Sequence, residues 1–290
     1  MNPDYSIFVV GAGAMAEAFI RGITVRGAVD PKQIYVINRS GRARLEELQR
    51  LYGVVPTDAL SDAAECDLVV MSVKPADMAA VLQQLRPFLH GQVVVSFAAG
   101  LTRAWLHEQV EGRAHVIRTM PNIPVAVMSG VTAVTCGPDL DAQEREHVLF
   151  LLRQLGEVVE LSEDMMDAVT AFSGSGPGFV CYVLEAMENA AVQLGFTPET
   201  ARLLLLQTVV GTARTLDEWG LSPAELRKRV TSKGGTTHAG IQAMQDANLD
   251  GIIAQALRAA AQRSAEMGRE YRGEDSEAVA PDSAARSRFR

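Results

Sequence analysis

Along the first half of the chain, short uninterrupted apolar runs alternate with stretches in which apolar residues recur every three or four positions. "SIFVVGAG", "IYVIN", "LVVMSV" and "VVVSFAAG" are of the first kind, and "RARLEELQRLYG" is of the second. A strand covered on both faces has no solvent side to make polar, so it reads as a continuous apolar run, whereas a helix lying on a sheet shows one apolar stripe. The alternation predicts a parallel sheet with helices on both faces. Two further strands over "HVIRTM" and "GVTAVTC", a helix over about 141–155 and a last strand "EVVEL" follow, and the sheet is expected to end near Leu161.

From Ser162 onward no strand signal appears, only long apolar-periodic segments punctuated by "SGSGPG", "GFTPE" and "GLSPAE". Thr197-Pro198 and Ser222-Pro223 pair a capping side chain with a first-turn proline and so mark helix starts. The helix predicted from about Pro198 to Glu218 contains "LLLLQTVVG", which puts leucines on several faces. A helix that is apolar nearly all round must be covered from several sides, and this short helical region offers little cover of its own. A second subunit is therefore expected to supply part of it. The organisation that results is a sheet domain over 1–162, a helical domain over 163–271, and a polar, charged tail over 272–290 that is too poor in large apolar groups to fold.

Length and charge narrow the field. At 290 residues the chain is long enough for two domains, and its formal net charge of −8 argues against nucleic acid as a partner, which would call for clustered Lys and Arg. Cys66, Cys136 and Cys181 are far apart and the five histidines are scattered, so neither a metal nor a disulfide framework is indicated. No apolar run approaches the roughly 18–20 residues of a membrane span, and the start "MNPDYSIFVVGAGAM" lacks a basic leader and cleavage site. A cytoplasmic enzyme acting on a small molecule, without a membrane partner, is the expectation.

The chemistry starts at "FVVGAGAMAEAFIRG", which reads strand, glycine-rich turn, helix. Gly11, Gly13 and Ala16 form the G-x-G-x-x-A variant of the dinucleotide fingerprint. The first glycine permits the tight turn, the second lets a pyrophosphate approach, and the small third residue lets the helix settle on the strand. Ala14 and Met15 lie within this turn and join the cofactor-binding set. The second strand ends in Asn38, Arg39 and Ser40, followed by Arg42, where an NAD enzyme would carry an acidic residue for the ribose 2′-hydroxyl. No carboxylate stands there to repel a phosphate, and Arg39, with Arg42 as a second candidate, can grip one, so NADPH is favoured while NADH stays open.

The second candidate is "VTSKGGTTHAG" at 230–240. A Gly-Gly pair lets backbone approach a ligand, and the N–H groups and hydroxyls that follow at a helix start make a small anion site. The same residues also suit a loop with an ordinary helix cap. Both readings stand at this point.

"GAGAMA", "VKP" at 73–75, "MPNIP" at 120–124, "SGSGPGF" at 173–179, "VTSKGGTT" at 230–237 and the Arg263-Ser264 and Glu266-Met267-Gly268 pieces occur in the order and spacing of pyrroline-5-carboxylate reductases, which the chain resembles up to about Tyr271. The resemblance implies an N-terminal Rossmann-type NADP-binding domain and an all-helical dimerisation domain. The implied reaction is NADPH-dependent reduction of 1-pyrroline-5-carboxylate to L-proline, the last step of proline biosynthesis, in a homodimer that assembles further into a ring. It also implies that Val73, Lys74, Pro75, Met120, Pro121 and Asn122 flank the nicotinamide and that the substrate sits at the "GGTT" turn.

A cyclic imine carboxylate needs an anion pocket and a hydrogen-bonding partner for its ring nitrogen. Backbone N–H groups of Gly234, Gly235 and Thr236 with the Ser232 hydroxyl can supply the first, and the Thr237 hydroxyl the second, which makes Thr237 the catalytic candidate. The chain departs from the family at Lys233, where Pro is usual, at Gly178, where Ala is usual, and at Ala59, where Asn is usual; Lys233 and His238 are expected to face solvent. Two other functions compete. A 3-hydroxyacid-type dehydrogenase would need a lysine inside a glycine-rich helix to protonate an alkoxide, and neither Lys228 nor Lys233 is so placed. A non-catalytic nucleotide-binding relative would not need "GGTT", "VKP" and "MPN" together.

Overall fold

The computed structural model describes residues 5–39 and 41–272. Ser40 and, from 273 on, the expected tail lie outside the described residues; Arg272 is the last residue of a helix. An eight-stranded sheet carries the first half: β1 (Ile7–Val10), β2 (Ile34–Ile37), β3 (Val55–Pro56), β4 (Leu68–Met71), β5 (Val93–Ser96), β6 (His115–Pro121), β7 (Gly130–Thr135) and β8 (Gly156–Glu160), in the order β3-β2-β1-β4-β5-β6-β7-β8. Helices α1 (Ala14–Val25), α2 (Arg42–Tyr52), α3 (Met78–Leu85), α4 (Arg103–Gln109) and α5 (Ala142–Arg153) accompany it.

β1, β4 and β5 are buried along their whole length, as their unbroken apolar runs require. Alternate side chains feed two cores. Ile7 and Val9 join Phe19, Ile20, Leu48 and Leu152 from α1, α2 and α5, while Phe8 and Val10 join Met71, Met78, Leu82 and Leu106, which bring in α3 and α4. All strand pairs are parallel except β6–β7, which is antiparallel. The segment between those two strands is too short for a crossover helix, so the chain can only turn back. The two-residue edge strand β3 is the one strand the apolar pattern misses.

The remaining helices are α6 (Met166–Val169), α7 (Gly176–Gln193), α8 (Pro198–Trp219), α9 (Pro223–Val230), α10 (Thr236–Asp246) and α11 (Leu249–Arg272), with a π-helical turn over Thr170–Gly174 before α7. Thr197 caps α8 through Thr200 N–H, and Ser222 with Glu225 forms a reciprocal capping box on α9, as the Thr-Pro and Ser-Pro pairs predict. Packing divides the described chain into two compact units, one up to Ser175 and again from Ala260, the other Gly176–Ala259. The first unit thus runs past the end of the sheet at 160. Arg118 on β6 pairs with Glu163, the Ser264 hydroxyl donates to the Asp167 carboxylate at 2.7 Å, and Met166 and Ala171 are buried. No helix among the described residues is long and apolar enough to cross a membrane.

Candidate active site

β1, β2, β4, β5 and β6 are parallel, so their carboxyl ends share one edge of the sheet. β1 and β4 are neighbours there although the chain runs from β1 out to β3 before returning, which makes this the point where the strand order reverses, the place where open sheets of this kind bind their ligands. The Gly11–Gly13 turn, Asn38-Arg39, Val73-Lys74-Pro75 and Met120-Pro121-Asn122 all follow or end strands on that edge.

Each glycine of the turn has its own task. Gly11 has φ +103°, and a Cβ there would stand 2.6 Å from the Ser72 carbonyl oxygen, so a side chain is excluded on both counts. Its N–H donates to the Ile37 carbonyl at 2.8 Å, tying the ends of β1 and β2 together. Gly13 is the N-cap of α1 in ordinary extended backbone, with nothing within 4 Å of a would-be Cβ and no side chain capping the helix. No side chain takes up the first-turn N–H groups of α1, and an uncapped helix start behind a glycine is the arrangement that suits a pyrophosphate. Ala16 is fully buried.

A residue the sequence reading missed supports this turn. Arg44 on α2 donates through Nε to the Ala12 carbonyl at 3.0 Å and pairs with Glu17 on α1 and Glu47. Tyr52 donates its hydroxyl to Glu17 at 2.9 Å. The guanidinium of Arg44 holds the Glu17 carboxyl below the usual range, with the Tyr52 hydrogen bond adding to it. Arg44 sits within "RARLEE" and carries no motif, and its partners Ala12 and Glu17 belong to a distant segment, so its local sequence gave no signal.

The surroundings of Arg39 and Arg42 differ from the expectation. Near the end of β2 the sequence offers no carboxylate, yet the fold brings two from elsewhere. Asp77, just after the "VKP" segment, pairs with Arg39 at 3.0 Å, and Asp58 pairs with Arg42 at 3.1 Å. These lie 38 and 16 residues away along the chain, which is why reading the local sequence did not find them.

After β4 on the same edge, Lys74 is exposed and precedes a short 3-10 turn over Pro75–Asp77. Met120 closes against the π-helical turn, where a Cβ on Gly174 would come within 2.5 Å of Met120 Cε. The "SGSG" segment thus owes a glycine to close approach rather than to a loop. The Asn122 side-chain oxygen accepts from Val131 N–H at 3.0 Å, which holds the β6–β7 turn.

In the helical unit, Ser232–Gly235 is a turn closed by Gly235 N–H to the Ser232 carbonyl at 3.0 Å. Gly234 has φ +76°, and a Cβ on Gly235 would meet Ser232 Oγ at 2.6 Å. Gly235 is the N-cap of α10 and no side chain caps the helix, so Thr236 and Thr237 lie in its first turn. Neither hydroxyl has a hydrogen-bond partner among the described residues. The capping role that the sequence left open does not belong to these threonines. Lys233 and His238 are exposed in the chain. A cavity of about 770 Å³ opens at the amino ends of the strands, lined by Tyr5, Asp67, His90, His115, Glu144 and His147 among others; it contains none of these motif residues.

Comparison with known proteins bears on the same two regions. Residues 163–267 match the family described as pyrroline-5-carboxylate reductase dimerisation, and residues 6–100 match the one described as NADP oxidoreductase coenzyme F420-dependent. Pyrroline-5-carboxylate reductase 2 of Bacillus subtilis is 38% identical over 91% of this chain and 95% of its own. The Pseudomonas aeruginosa pyrroline-5-carboxylate reductase is 38% identical over 90% and 96%. A solved pyrroline-5-carboxylate reductase from Coxiella burnetii superposes with a TM-score of 0.85 at 35% identity, covering 91% of this chain and 98% of that one. The Plasmodium falciparum pyrroline carboxylate reductase, solved with NADP bound, shares the fold with a TM-score of 0.83 at 24% identity, over 92% and 99%. With this identity across nearly the whole of both chains, the protein belongs to the pyrroline-5-carboxylate reductase family of oxidoreductases.

Proposed function

We propose that the protein reduces the C=N bond of 1-pyrroline-5-carboxylate to give L-proline, with NADPH as the preferred reductant. The observation that carries the reading is the amino end of α10, an uncapped helix start behind a Gly-Gly turn with two threonine hydroxyls unengaged by the described residues. Backbone N–H groups of Gly234, Gly235 and Thr236, with Ser232 Oγ, hold the substrate carboxylate, favoured by the positive end of the helix. The Thr237 hydroxyl is the partner of the ring nitrogen. No side chain here is set up as a strong acid, and none is required, because a cyclic imine is basic enough to bind as the iminium. The nicotinamide supplies the hydride when bound. The residues of the chain supply orientation, which accounts for most of the catalysis.

The reductant fits the sheet edge on the structure's own terms, since Gly13 leaves open the space a Cβ would fill and the first turn of α1 is uncapped. Gly11, Gly13, Ala14 and Met15 hold the pyrophosphate, Asn38, Arg39 and Ser40 the adenosine ribose and its phosphate, and Val73, Lys74, Pro75, Met120, Pro121 and Asn122 flank the nicotinamide. The working form is a homodimer through the helical unit, assembled further into a ring, cytoplasmic, with neither nucleic acid nor membrane as partner. Exposed leucines on α8 and the net charge of −8 support this.

NADPH oxidation by the purified protein with pyrroline-5-carboxylate, a six-membered imine carboxylate and a hydroxyacid-type ketone tests the activity; turnover of the ketone alone would refute it. Thr237→Val tests the site. Losing a hydrogen bond to a charged centre costs about 1.5–3 kcal/mol, so turnover should fall roughly ten- to a hundredfold with NADPH affinity and Tm unchanged. A lower Tm with full turnover would make Thr237 architectural.

A further inference from the structure

Arg39 follows β2 and Asp77 lies just beyond the end of β4, and these strands flank β1 on either side. Their ion pair therefore joins the two loops that border the Gly11–Gly13 turn. Arg39 contributes Nη1 alone, at 3.0 Å from Asp77 Oδ1, and its side chain is 83% exposed against 35% for Asp77. Arg42 is engaged in the same manner by Asp58 at 3.1 Å and by Glu46 at 3.5 Å. The two arginines that would greet a 2′-phosphate thus each carry a carboxylate counterweight, and an arginine paired with an acid is neutral as a unit.

We propose that Asp77 is a specificity-determining residue that competes with the 2′-phosphate of the cofactor for Arg39 and thereby narrows the margin of NADPH over NADH. The inference rests on the reading of Arg39 as the phosphate ligand. A guanidinium held by one acid presents less net positive charge to a second anion, and the Asp77 carboxylate stands close enough to repel a phosphate dianion drawn to the same group. NADH brings no phosphate to Arg39 and does not meet this competition. Because the pair is largely exposed, the penalty is small and screened by salt. The chain consequently accepts both cofactors more evenly than its two arginines alone would suggest.

The test is calorimetric titration of the full-length protein with adenosine 2′,5′-bisphosphate and with adenosine 5′-monophosphate, probes that differ by the phosphate at issue. Asp77→Asn should tighten the bisphosphate about three- to fivefold at low salt, leave the monophosphate within about twofold, and lose most of its effect at high salt. Asp77→Glu, which keeps the charge, should stay near the parent. Arg39→Ala should weaken the bisphosphate alone. Bisphosphate binding that is unchanged or weaker in Asp77→Asn overturns the proposal, and weaker binding would mean that the carboxylate orients Arg39. If instead Arg39→Ala leaves bisphosphate binding intact, Arg39 is not the phosphate ligand, a failure of the underlying reading that the Asp77 arm by itself would not produce. Melting curves of each variant separate these results from misfolding.

Discussion

Leu48 on α2 is fully buried, whereas Leu203 and Leu204 on α8 are 69% and 50% exposed. Both kinds of residue belong to helices with apolar faces, but the sheet unit supplies a surface for its helices and the helical unit does not supply enough for its own. Among the residues of the helical unit, Ala201 is the single buried apolar one, while Tyr182, Leu203, Leu204, Leu206 and Ile252 are exposed. Apolar area left in water forgoes about 25 cal/mol per Å², so a unit with this pattern gains by association. The sheet unit can hold its fold and its glycine-rich turn by internal packing. The helical unit, which carries the "GGTT" turn, ties its stability to assembly.

The largest effect should come from removing that assembly. Lys at positions 203 and 206 retains helix propensity but places charge where a partner subunit would bury it, at a cost of about 3–5 kcal/mol for an unpaired charge. Sedimentation of Leu203→Lys/Leu206→Lys should find monomer or unfolded chain and no activity. Leu51→Lys on α2, also half exposed, should change stability by less than about 0.5 kcal/mol. A fully assembled, active double variant would erase the contrast between the two units. Next in size is a pair of glycines within the sheet unit. Gly11→Ala strains φ and overlaps the Ser72 carbonyl, costing about 2–5 kcal/mol in a denaturant melt. Gly13→Ala meets open space and should melt like the parent, yet raise the dissociation constant for NADPH because its methyl fills the pyrophosphate approach.

The smallest expected effect is the pH dependence that Glu17 gives the sheet unit. The Glu17 carboxyl is held low in the folded protein, first by Arg44 and then by Tyr52. A depressed folded-state pKa contributes stability above the unfolded value, near about 4.3, and that contribution is lost as pH falls through the folded value. Urea melts of the parent should therefore lose stability below about pH 4 more steeply than those of Glu17→Gln. Parallel curves would show that the Arg44 link does not matter to the fold.

β1, β4 and β5 were legible because strands covered on both faces read as short unbroken apolar runs, and the glycine turn because Gly11 and Gly13 stand where only small residues serve. The caps at Thr197 and Ser222 were legible for the same local reason. What escaped were encounters between distant segments. The short edge strand β3 pairs with β2 through only two residues, and neither Gly174 beneath Met120 nor Arg44 beneath Ala12 carries a signal in its own neighbourhood. The most consequential omission is the pair of carboxylates at Arg39 and Arg42, since the sequence around them reads as a purely basic phosphate site.

The sequence by itself determined the order of the strands other than β3, the glycine-rich turn that opens α1, and the Gly-Gly turn that opens α10, because each depends on local sterics and on the pattern of apolar positions. Only the tertiary structure decided that Asp77 and Asp58 reach the arginines that follow β2 and that Arg44 reaches the Ala12 carbonyl. Those outcomes depend on where chain segments many residues apart come to lie, and an ion pair or a packed contact depends on distance in space, which no local pattern of residues specifies.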